Sequence, residues 1–270
     1  YLVIATGSAQ AVAIDSADGE KTAALCQSLE VNLVAVLTTH YHADHSGGNA
    51  FLAAAKPGLE VIAGERDADR TPAVTRQVRD GETFRLAGLP FRCVATPCHT
   101  RGHVCFFLDA DDGQAPALFS GDALFVAGCG RFMEGTAVSM SRTLRALAAL
   151  PGETRVFCGH EYTVGNLEYA LSLEPSREFL RERLAKAQAQ RSQGLPTVPS
   201  TLSEELEQNP FFRASNPILA AAVDCDGLDE LAVLNKLRRG KDTFTFPGKI
   251  ITMVLDVRSY FYPPADDEIA

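Results

Sequence analysis

A dense run of metal-ligand side chains, HYHADH at residues 40–45, directly follows the predicted buried strand Leu33–Thr38. Alternate side chains leaving a strand end can point the same way, so His40 and His42 can share one metal ion. Asp44 and His45 lie where the chain turns, so they can face a second ion beside the first. Imidazole nitrogens with one carboxylate suit zinc or iron better than calcium or magnesium. The run therefore predicts a metal centre at a strand end.

Other ligand-type residues also follow predicted strands, and three of them are His99, Asp122 and His160. Strand ends of one sheet edge deliver such side chains into a common cleft. The spacing then predicts two trios, which are His40/His42/His99 and Asp44/His45/His160, with Asp122 between them. This set suits two metal ions about 3.5–4 Å apart, with an open position for water. His103 lies near His99, and we expect it to make a structural hydrogen bond.

The pattern of apolar runs divides the chain near residue 162. Residues 1–162 show short β-branched or apolar runs interleaved with helices, which predicts a sheet-rich domain with helices on its outer faces. After this point apolar residues recur at helical spacing, which predicts a smaller, mainly helical unit over residues 163–270. Thr201 and Glu204 form a capping-box pattern at the start of one of its helices.

Composition excludes several classes of protein. Twenty-five Lys and Arg against thirty-four Asp and Glu give a net charge of −9, which argues against a nucleic-acid or anionic-membrane partner. The apolar runs are too short to cross a bilayer. The chain has seven cysteines and no CxxC pair, which favours reduced thiols and a cytoplasmic setting. A mitochondrial or other organellar location stays open, because the sequence does not begin with Met.

The ligand pattern resembles the metallo-β-lactamase superfamily, and four further stretches are similar to glyoxalase II, the hydroxyacylglutathione hydrolase family. These stretches are GCGRFMEGT (128–136), CGHEYT (158–163), PSTLSEELEQNPFFR (199–213) and RRGKDTF (238–244). The resemblance implies an α+β fold, an αββα sandwich of two mixed sheets, followed by a helical C-terminal substrate-binding domain.

The resemblance also implies an activity, which is hydrolysis of S-D-lactoylglutathione and related 2-hydroxyacylglutathiones to the hydroxy acid and glutathione. This reaction is the second step of methylglyoxal detoxification. Two divalent ions are implied, with zinc expected and iron or manganese as alternatives. Asp44 and Asp122 are implied as catalytic ligands. The implied substrate contacts are Arg131, Tyr162, Arg238 and Lys241.

The physical basis of those contacts is charge pairing, since arginine and lysine bind the glycine carboxylate of glutathione by charge-assisted hydrogen bonds. Spacing alone leaves a solvated helix end as an equal interpretation of Arg238 and Lys241. Two departures from the family pattern stand out. Met133 occupies a position where the family often has Tyr, and the chain continues through a tail at about 247–270. We expect the tail to pack on the body or against another subunit.

Three alternatives remain at this stage. A persulfide dioxygenase has the same fold but uses a single iron on two His and one Asp, and it lacks the long helical C-terminal domain. A hydrolase could act on a thioester of a different thiol, given Met133. A scaffold could keep the metal site without turnover. A small-molecule substrate and a monomer or weak dimer are expected.

Overall fold

In the computed structural model, residues 1–5, 7–109, 114–225 and 229–244 are described. The strands of the first sheet are β1 (Leu2–Ile4), β2 (Gln10–Ile14), β3 (Asn32–Thr38), β4 (Glu60–Gly64) and β5 (Arg76–Val78). They lie side by side in chain order. β1 runs antiparallel to β2, and the other neighbours are parallel. The sheet is therefore mixed.

The second sheet is also mixed. Its strands are β6 (Thr83–Leu86), β7 (Leu89–Ala95), β8 (Val104–Leu108), β9 (Ala117–Gly121), β10 (Arg155–Cys158) and β11 (Ser200–Thr201). Their spatial order is β11-β10-β9-β8-β7-β6. β9 and β10 are parallel, and the other pairs are antiparallel.

The central strands β8 and β9 of the second sheet are apolar on both faces because each face is covered there. Successive side chains of a strand point to opposite faces, and β8 shows the consequence. Phe106 packs between the two sheets with Ile14 and Leu37. Its neighbour Phe107 faces the outer layer, where it joins the same cluster as Met140. This double burial explains why β8 reads as a continuous apolar run.

Helices cover both outer faces. The helices against the first sheet are α1 (Gly19–Ser28) and α3 (Asn49–Ala55), and the one-turn α2 (Ala43–Ser46) lies between β3 and α3. α4 (Ala137–Ala148) covers the second sheet, where Leu144 and Leu147 belong to the same buried cluster as the strand residue Leu118. The layers are thus helix, sheet, sheet and helix, and the expected αββα sandwich is confirmed.

The C-terminal helices continue this outer layer. They are α5 (Thr163–Leu173), α6 (Glu178–Ser192), α7 (Leu202–Gln208), α8 (Pro217–Ala222) and α9 (Glu230–Thr243). The predicted capping box forms at α7, where Thr201 Oγ1 accepts from Glu204 N and Glu204 Oε2 accepts from Thr201 N. Leu234 and Leu237 of α9 join the cluster around α4, so this unit packs directly on the sandwich.

Several elements differ from the sequence analysis. The predicted elements do not include β5, β11, α4, α8 or the one-turn α2. The tail at about 247–270 lies outside the described residues. A bilayer-spanning helix would have to be longer and more apolar than any helix found in the described part of the chain.

Candidate active site

The predicted ligands meet because each follows a strand that ends at the same side of the sandwich. His40 and His42 come just after β3, and α2 then carries Asp44 and His45. Asp122 follows β9, and His160 follows β10, its parallel neighbour. His99 lies in the connection between β7 and β8. The sandwich therefore brings together all seven residues that the sequence analysis assigned to metal binding.

The first trio is compact. His42 Nδ1 lies 3.0 Å from His40 Nε2 and 3.1 Å from His99 Nε2. His40 is fully buried, and His99 is 6% exposed. Burial lowers the pKa of all three imidazoles. Neutral imidazole is the form that binds a metal ion.

The second trio lies beside it. His45 Nε2 is 3.3 Å from His160 Nε2, and Asp44 Oδ2 is 3.4 Å from His160 Nε2. Asp122 lies between the two trios. Its Oδ1 is 3.2 Å from His45 Nε2, and its Oδ2 is 3.5 Å from His99 Nε2. The ligand atoms of each trio lie within 4.8 Å of one another.

Hydrogen bonds at the far ring nitrogens fix which atoms face the centre. His45 Nδ1 donates to Asp15 Oδ2 at 2.8 Å, and His99 Nδ1 donates to the Arg131 carbonyl at 3.1 Å. Thr39 Oγ1 donates to Asp15, so it accepts from His40 Nδ1 at 3.1 Å. Each of these rings in its neutral form therefore presents the lone pair of Nε2 to the cluster.

The directions of these lone pairs and the distances between the ligand atoms show whether a metal ion fits the cluster. In the first trio, a proton on His42 Nδ1 could satisfy only one of its two neighbours, whereas a cation at the centre satisfies all three ring nitrogens. Asp122 Oδ1 is buried and makes no hydrogen bond within the described residues. Ligands about 2.0 Å from a tetrahedral zinc ion lie about 3.3 Å apart. The observed separations of 3.0 to 3.5 Å match this spacing, so the residues fit a metal centre.

The field at the second trio favours positive charge. Burial lowers the pKa of His45, but the carboxylates of Asp15 and Asp122 outweigh it and raise this pKa to about 10. Asp122, and then Asp44, raise the pKa of His160 to about 9. Burial opposes ionisation of Asp122, yet the His160 and His45 rings hold its pKa well below the usual range. A divalent cation would be stabilised by the same carboxylates.

Two residues fix Asp122 without reaching the cluster centre. His103 is buried, with Nδ1 2.7 Å from Thr96 Oγ1, and its Nε2 accepts from the backbone N–H of Asp122 at 3.1 Å. The structure thus shows the structural hydrogen bond expected of His103. Gly121 precedes Asp122 with φ of +47°, and a Cβ there would lie 2.4 Å from Thr39 Oγ1. Only glycine adopts this conformation at low cost in so little space.

The expected substrate contacts line the same cleft, which has a volume of about 790 Å³. Its wall includes five of the metal-ligand residues together with Arg131, Tyr162, Arg238 and Lys241. Tyr162 is 52% exposed, and its ring stacks on His160 with centroids 4.9 Å apart. Lys241 Nζ donates to the Gly165 carbonyl at 2.7 Å. Met133 also lines this cleft and is largely exposed.

Arg131 and Arg238 converge on one carboxylate that the sequence analysis missed. Asp242 Oδ1 lies 3.2 Å from Arg131 Nε and 3.1 Å from Arg238 Nη2. Arg238 also donates to the Cys129 carbonyl, and its buried Nε has no hydrogen-bond partner among the described residues. Asp242 stands four residues after Arg238 on α9, a spacing that brings the two side chains together on one face of a helix.

Asp15 is a second missed residue. Its carboxylate accepts from the backbone N–H and the hydroxyl of Thr39, both at 2.8 Å, as well as from His45. It therefore supports His45 directly and His40 through Thr39. Asp15 directly follows β2, so the strand-end rule that found Asp122 could also have found it.

Comparison with known proteins decides the family. The family model "Metallo-beta-lactamase superfamily" matches residues 27–160, and "Hydroxyacylglutathione hydrolase C-terminus" matches residues 161–244. The chain is 41% identical to the cytoplasmic hydroxyacylglutathione hydrolase of Arabidopsis thaliana, over 90% of this chain and 93% of the relative. The chain belongs to the hydroxyacylglutathione hydrolase family. The resemblance found in the sequence is thereby confirmed.

A further relative agrees with this assignment, and a solved structure is similar in fold. The hydroxyacylglutathione hydrolase of Methylococcus capsulatus is 43% identical, over 90% of this chain and 93% of the relative. A crystal structure of TTHA1623 in a di-iron-bound form is 28% identical, with a TM-score of 0.53, and covers 78% of this chain and 93% of that one. The family and the His/Asp clusters together support a site for divalent metal in this chain.

Proposed function

We propose that this hydroxyacylglutathione hydrolase family member hydrolyses S-D-lactoylglutathione and related 2-hydroxyacylglutathiones to the hydroxy acid and glutathione. One observation carries the proposal, which is that a single cleft holds the His/Asp cluster and the cations Arg131, Arg238 and Lys241. A substrate with a carboxylate at one end and a thioester near the middle matches this arrangement.

We assign two divalent ions to the cluster, one to the trio His40/His42/His99 and one to the trio Asp44/His45/His160, with Asp122 shared. The di-iron form of TTHA1623 supports this count, and zinc, iron and manganese all suit the ligand set. A single-iron dioxygenase would have no use for the second trio, whose ligand atoms also lie within 4.8 Å of one another. The match of residues 161–244 to the hydroxyacylglutathione hydrolase C-terminal model also favours a hydrolase over a dioxygenase.

When bound, the metal ions supply Lewis acidity at the thioester carbonyl and lower the pKa of water. In the overall reaction, water adds to the carbonyl carbon, the C–S bond breaks, and glutathione leaves as a thiolate that takes a proton from solvent. The Asp44 side chain is 60% exposed, and His160 lowers the pKa of its carboxyl. Asp44 is therefore ionised at neutral pH, and its carboxylate accepts the proton that water loses.

The cationic side of the cleft binds the thiol carrier. Lys241 and Arg238 from α9 and Arg131 from the loop after β9 face the same space, so they pair with the carboxylates of glutathione. Residues 1–162 thus supply the metal ligands, and the helical unit from residue 163 supplies the substrate-binding cations Arg238 and Lys241. The cytoplasmic Arabidopsis relative supports the same compartment for this chain.

Metal removal provides the first test. We expect the metal-loaded protein to hydrolyse S-D-lactoylglutathione, and we expect a chelator-stripped sample to lose that activity and regain it with zinc or iron. Steady-state loss of the thioester absorbance measures the rate, with elemental analysis of the same samples. Absence of turnover by a fully loaded sample would contradict the proposal.

The second candidate is a hydrolase for a thioester of another thiol. It is favoured by Met133, which lines the cleft with 59% exposure and offers no hydroxyl to a peptide carrier. D-Lactoyl thioesters of other thiols, assayed beside S-D-lactoylglutathione, distinguish the two. A higher kcat/KM on another carrier would favour the second candidate.

Binding of the glutathione thioester should weaken at alkaline pH because Lys241 loses its charge. Burial, and then the nearby Arg238, lower the pKa of Lys241 to about 8. The ammonium form is present below this value and is lost as the pH rises through it. Since hydrogen bonds to charged groups contribute about 1.5–3 kcal/mol, KM should rise by about 10-fold across this transition. KM profiles between about pH 6.5 and 9.5 measure the effect.

The matched control is Lys241→Arg, which keeps its charge throughout this range. Its KM should stay level where that of the wild type rises. An equal alkaline rise in both proteins would show that another group titrates.

A further inference from the structure

Glu134 is a carboxylate outside both trios, and three segments around the cluster converge on it. Tyr41 Oη donates to Glu134 Oε1 at 2.9 Å, and Arg70 Nη1 donates to the same oxygen at 2.6 Å. The backbone N–H of Arg101 donates to Oε2 at 2.8 Å. The Glu134 side chain is only 18% exposed. Both carboxylate oxygens are thus in use.

The first of these contacts reaches His42. Tyr41 stands between His40 and His42 in the chain, and its ring packs edge-on against the His42 ring with centroids 4.7 Å apart. The Arg70 guanidinium covers the Tyr41 ring at 3.5 Å from its centroid. Glu134 holds both the hydroxyl of Tyr41 and this guanidinium, so it fixes the residue against which His42 packs.

The other contacts reach His99. Arg101 lies two residues after His99, and Glu134 N donates to the carbonyl of Cys98, on its other side, at 3.2 Å. A Cβ on Gly135 would lie 2.6 Å from Cys98 Cα, so the two backbones touch. Glu134 therefore brackets His99 from both sides in the chain.

The same segment carries substrate contacts. Residues 129–135, here called the substrate loop, include Arg131 and Met133, which line the cleft. His99 Nδ1 donates to the Arg131 carbonyl in this loop at 3.1 Å. The substrate loop thus lines the part of the cleft proposed to bind the thiol carrier, and it also contacts the first trio through His99.

We propose that Glu134 is a positioning residue that holds His42 and His99 of the first trio and fastens the substrate loop to them. It touches neither the cluster centre nor the cleft, and it acts through Tyr41, Arg101 and the Cys98 carbonyl. The consequence for substrate binding rests on the proposed function, whereas the consequence for metal affinity does not.

The test is Glu134→Gln, which keeps the size of the side chain but loses its charge and presents an amide N–H₂ to one of the three donors. Loss of a residue that orients metal ligands costs about 10- to 100-fold in metal affinity. We expect a loss of this size for Co²⁺, measured by competition with a chromophoric chelator, together with a changed Co²⁺ absorption spectrum. KM should rise as well, since the substrate loop loses its anchor.

Tyr41→Phe removes only the hydroxyl, so it tests the same path with little risk to folding. It should weaken Co²⁺ binding less than Glu134→Gln does. The double variant should weaken it by less than the product of the two single effects, because both changes break one shared hydrogen bond.

Glu174→Gln is the matched control. Glu174 is a buried carboxylate that binds both terminal nitrogens of Arg213, at 2.5 and 2.8 Å, in the helical unit. Its substitution should lower Tm but leave Co²⁺ affinity unchanged. Wild-type Co²⁺ affinity in Glu134→Gln, or an equal loss of affinity in Glu174→Gln, would overturn the proposal.

The metal measurements also separate this inference from the proposed function. A wild-type protein that binds Co²⁺ but does not turn over S-D-lactoylglutathione would refute the proposed function, while the comparison of Co²⁺ affinities would still decide the role of Glu134.

Discussion

Asp122→Ala is expected to lower kcat/KM for S-D-lactoylglutathione by about 10³-fold or more and to reduce the metal content of the purified protein. Bound metal ions supply several kcal/mol of transition-state stabilisation, and each 1.36 kcal/mol corresponds to a factor of ten in rate. Steady-state kinetics and elemental analysis of the same preparation measure both effects.

The size of this effect follows from the position of Asp122. Its two carboxylate oxygens face different trios, since Oδ1 lies near His45 and His160 and Oδ2 lies near His99. In the proposed two-metal arrangement, removing the side chain deletes the ligand shared by both ions and the negative charge that offsets them. His42→Ala removes a ligand of the first trio, and it should likewise abolish most of the activity with a loss of metal.

Asp18→Ala is the control for Asp122→Ala. Asp18 caps α1 at an exposed position, where its Oδ1 accepts from Lys21 N at 3.0 Å. Losing this cap should lower Tm slightly and leave activity unchanged. Near-normal turnover by Asp122→Ala, with wild-type metal content, would refute the two-metal arrangement.

The clustering of the proposed metal ligands was predictable because these residues lie close together in the sequence or follow recognisable strands. Four of six consecutive residues are ligand types, and His99, Asp122 and His160 all follow apolar runs that read as strands. The apolar runs Val104–Leu108 and Arg155–Cys158 form the strands β8 and β10 over those same residues. A strand buried on both faces gives a continuous apolar run, and its ends are therefore well marked.

The position of Asp15 after β2 marks it as a candidate, but the contacts that the supporting residues make were not predictable in the same way. Asp15 and Glu134 act through contacts with residues 24 and 93 positions away, respectively Thr39 and Tyr41. No spacing within the sequence reports such contacts, because they arise when β2 pairs with β3 and when the substrate loop folds onto the ligand segments.

The missed elements have two different causes. β5 and β11 have three and two residues, which is too short for a hydrophobic period to show. α4 could have been predicted from the sequence, since Met140, Leu144 and Leu147 recur at helical spacing and are buried in the structure. The hydrophobic pattern of a helix is therefore present in this part of the sequence.

Gly159→Ala is expected to reduce activity by about 100-fold and to weaken metal binding, although it adds a single methyl group. A Cβ at this position would lie 2.5 Å from Asp122 Oδ1 and 2.6 Å from His45 Cε1. Both neighbours are predicted ligands, so the methyl group must displace ligand atoms. Misplacement of catalytic groups by about 1 Å can cost about 10²-fold in rate.

The effect is steric rather than conformational, because Gly159 is not among the glycines with positive φ. Alanine adopts the same backbone without strain, and overpacking of this kind costs about 1–3 kcal/mol of stability. The variant should therefore fold. Thermal unfolding, Co²⁺ affinity and kcat/KM, measured on one preparation, separate a displaced site from a lost fold.

Gly152→Ala provides the matched comparison, since a Cβ there would lie 2.4 Å from Ser203 Oγ, a contact of similar length outside the cleft. It should change Tm by an amount comparable to Gly159→Ala while keeping wild-type activity and Co²⁺ affinity. Wild-type activity in Gly159→Ala would mean that Asp122 and His45 tolerate displacement. That result would show that close packing of Gly159, just after β10, does not fix the positions of Asp122 and His45.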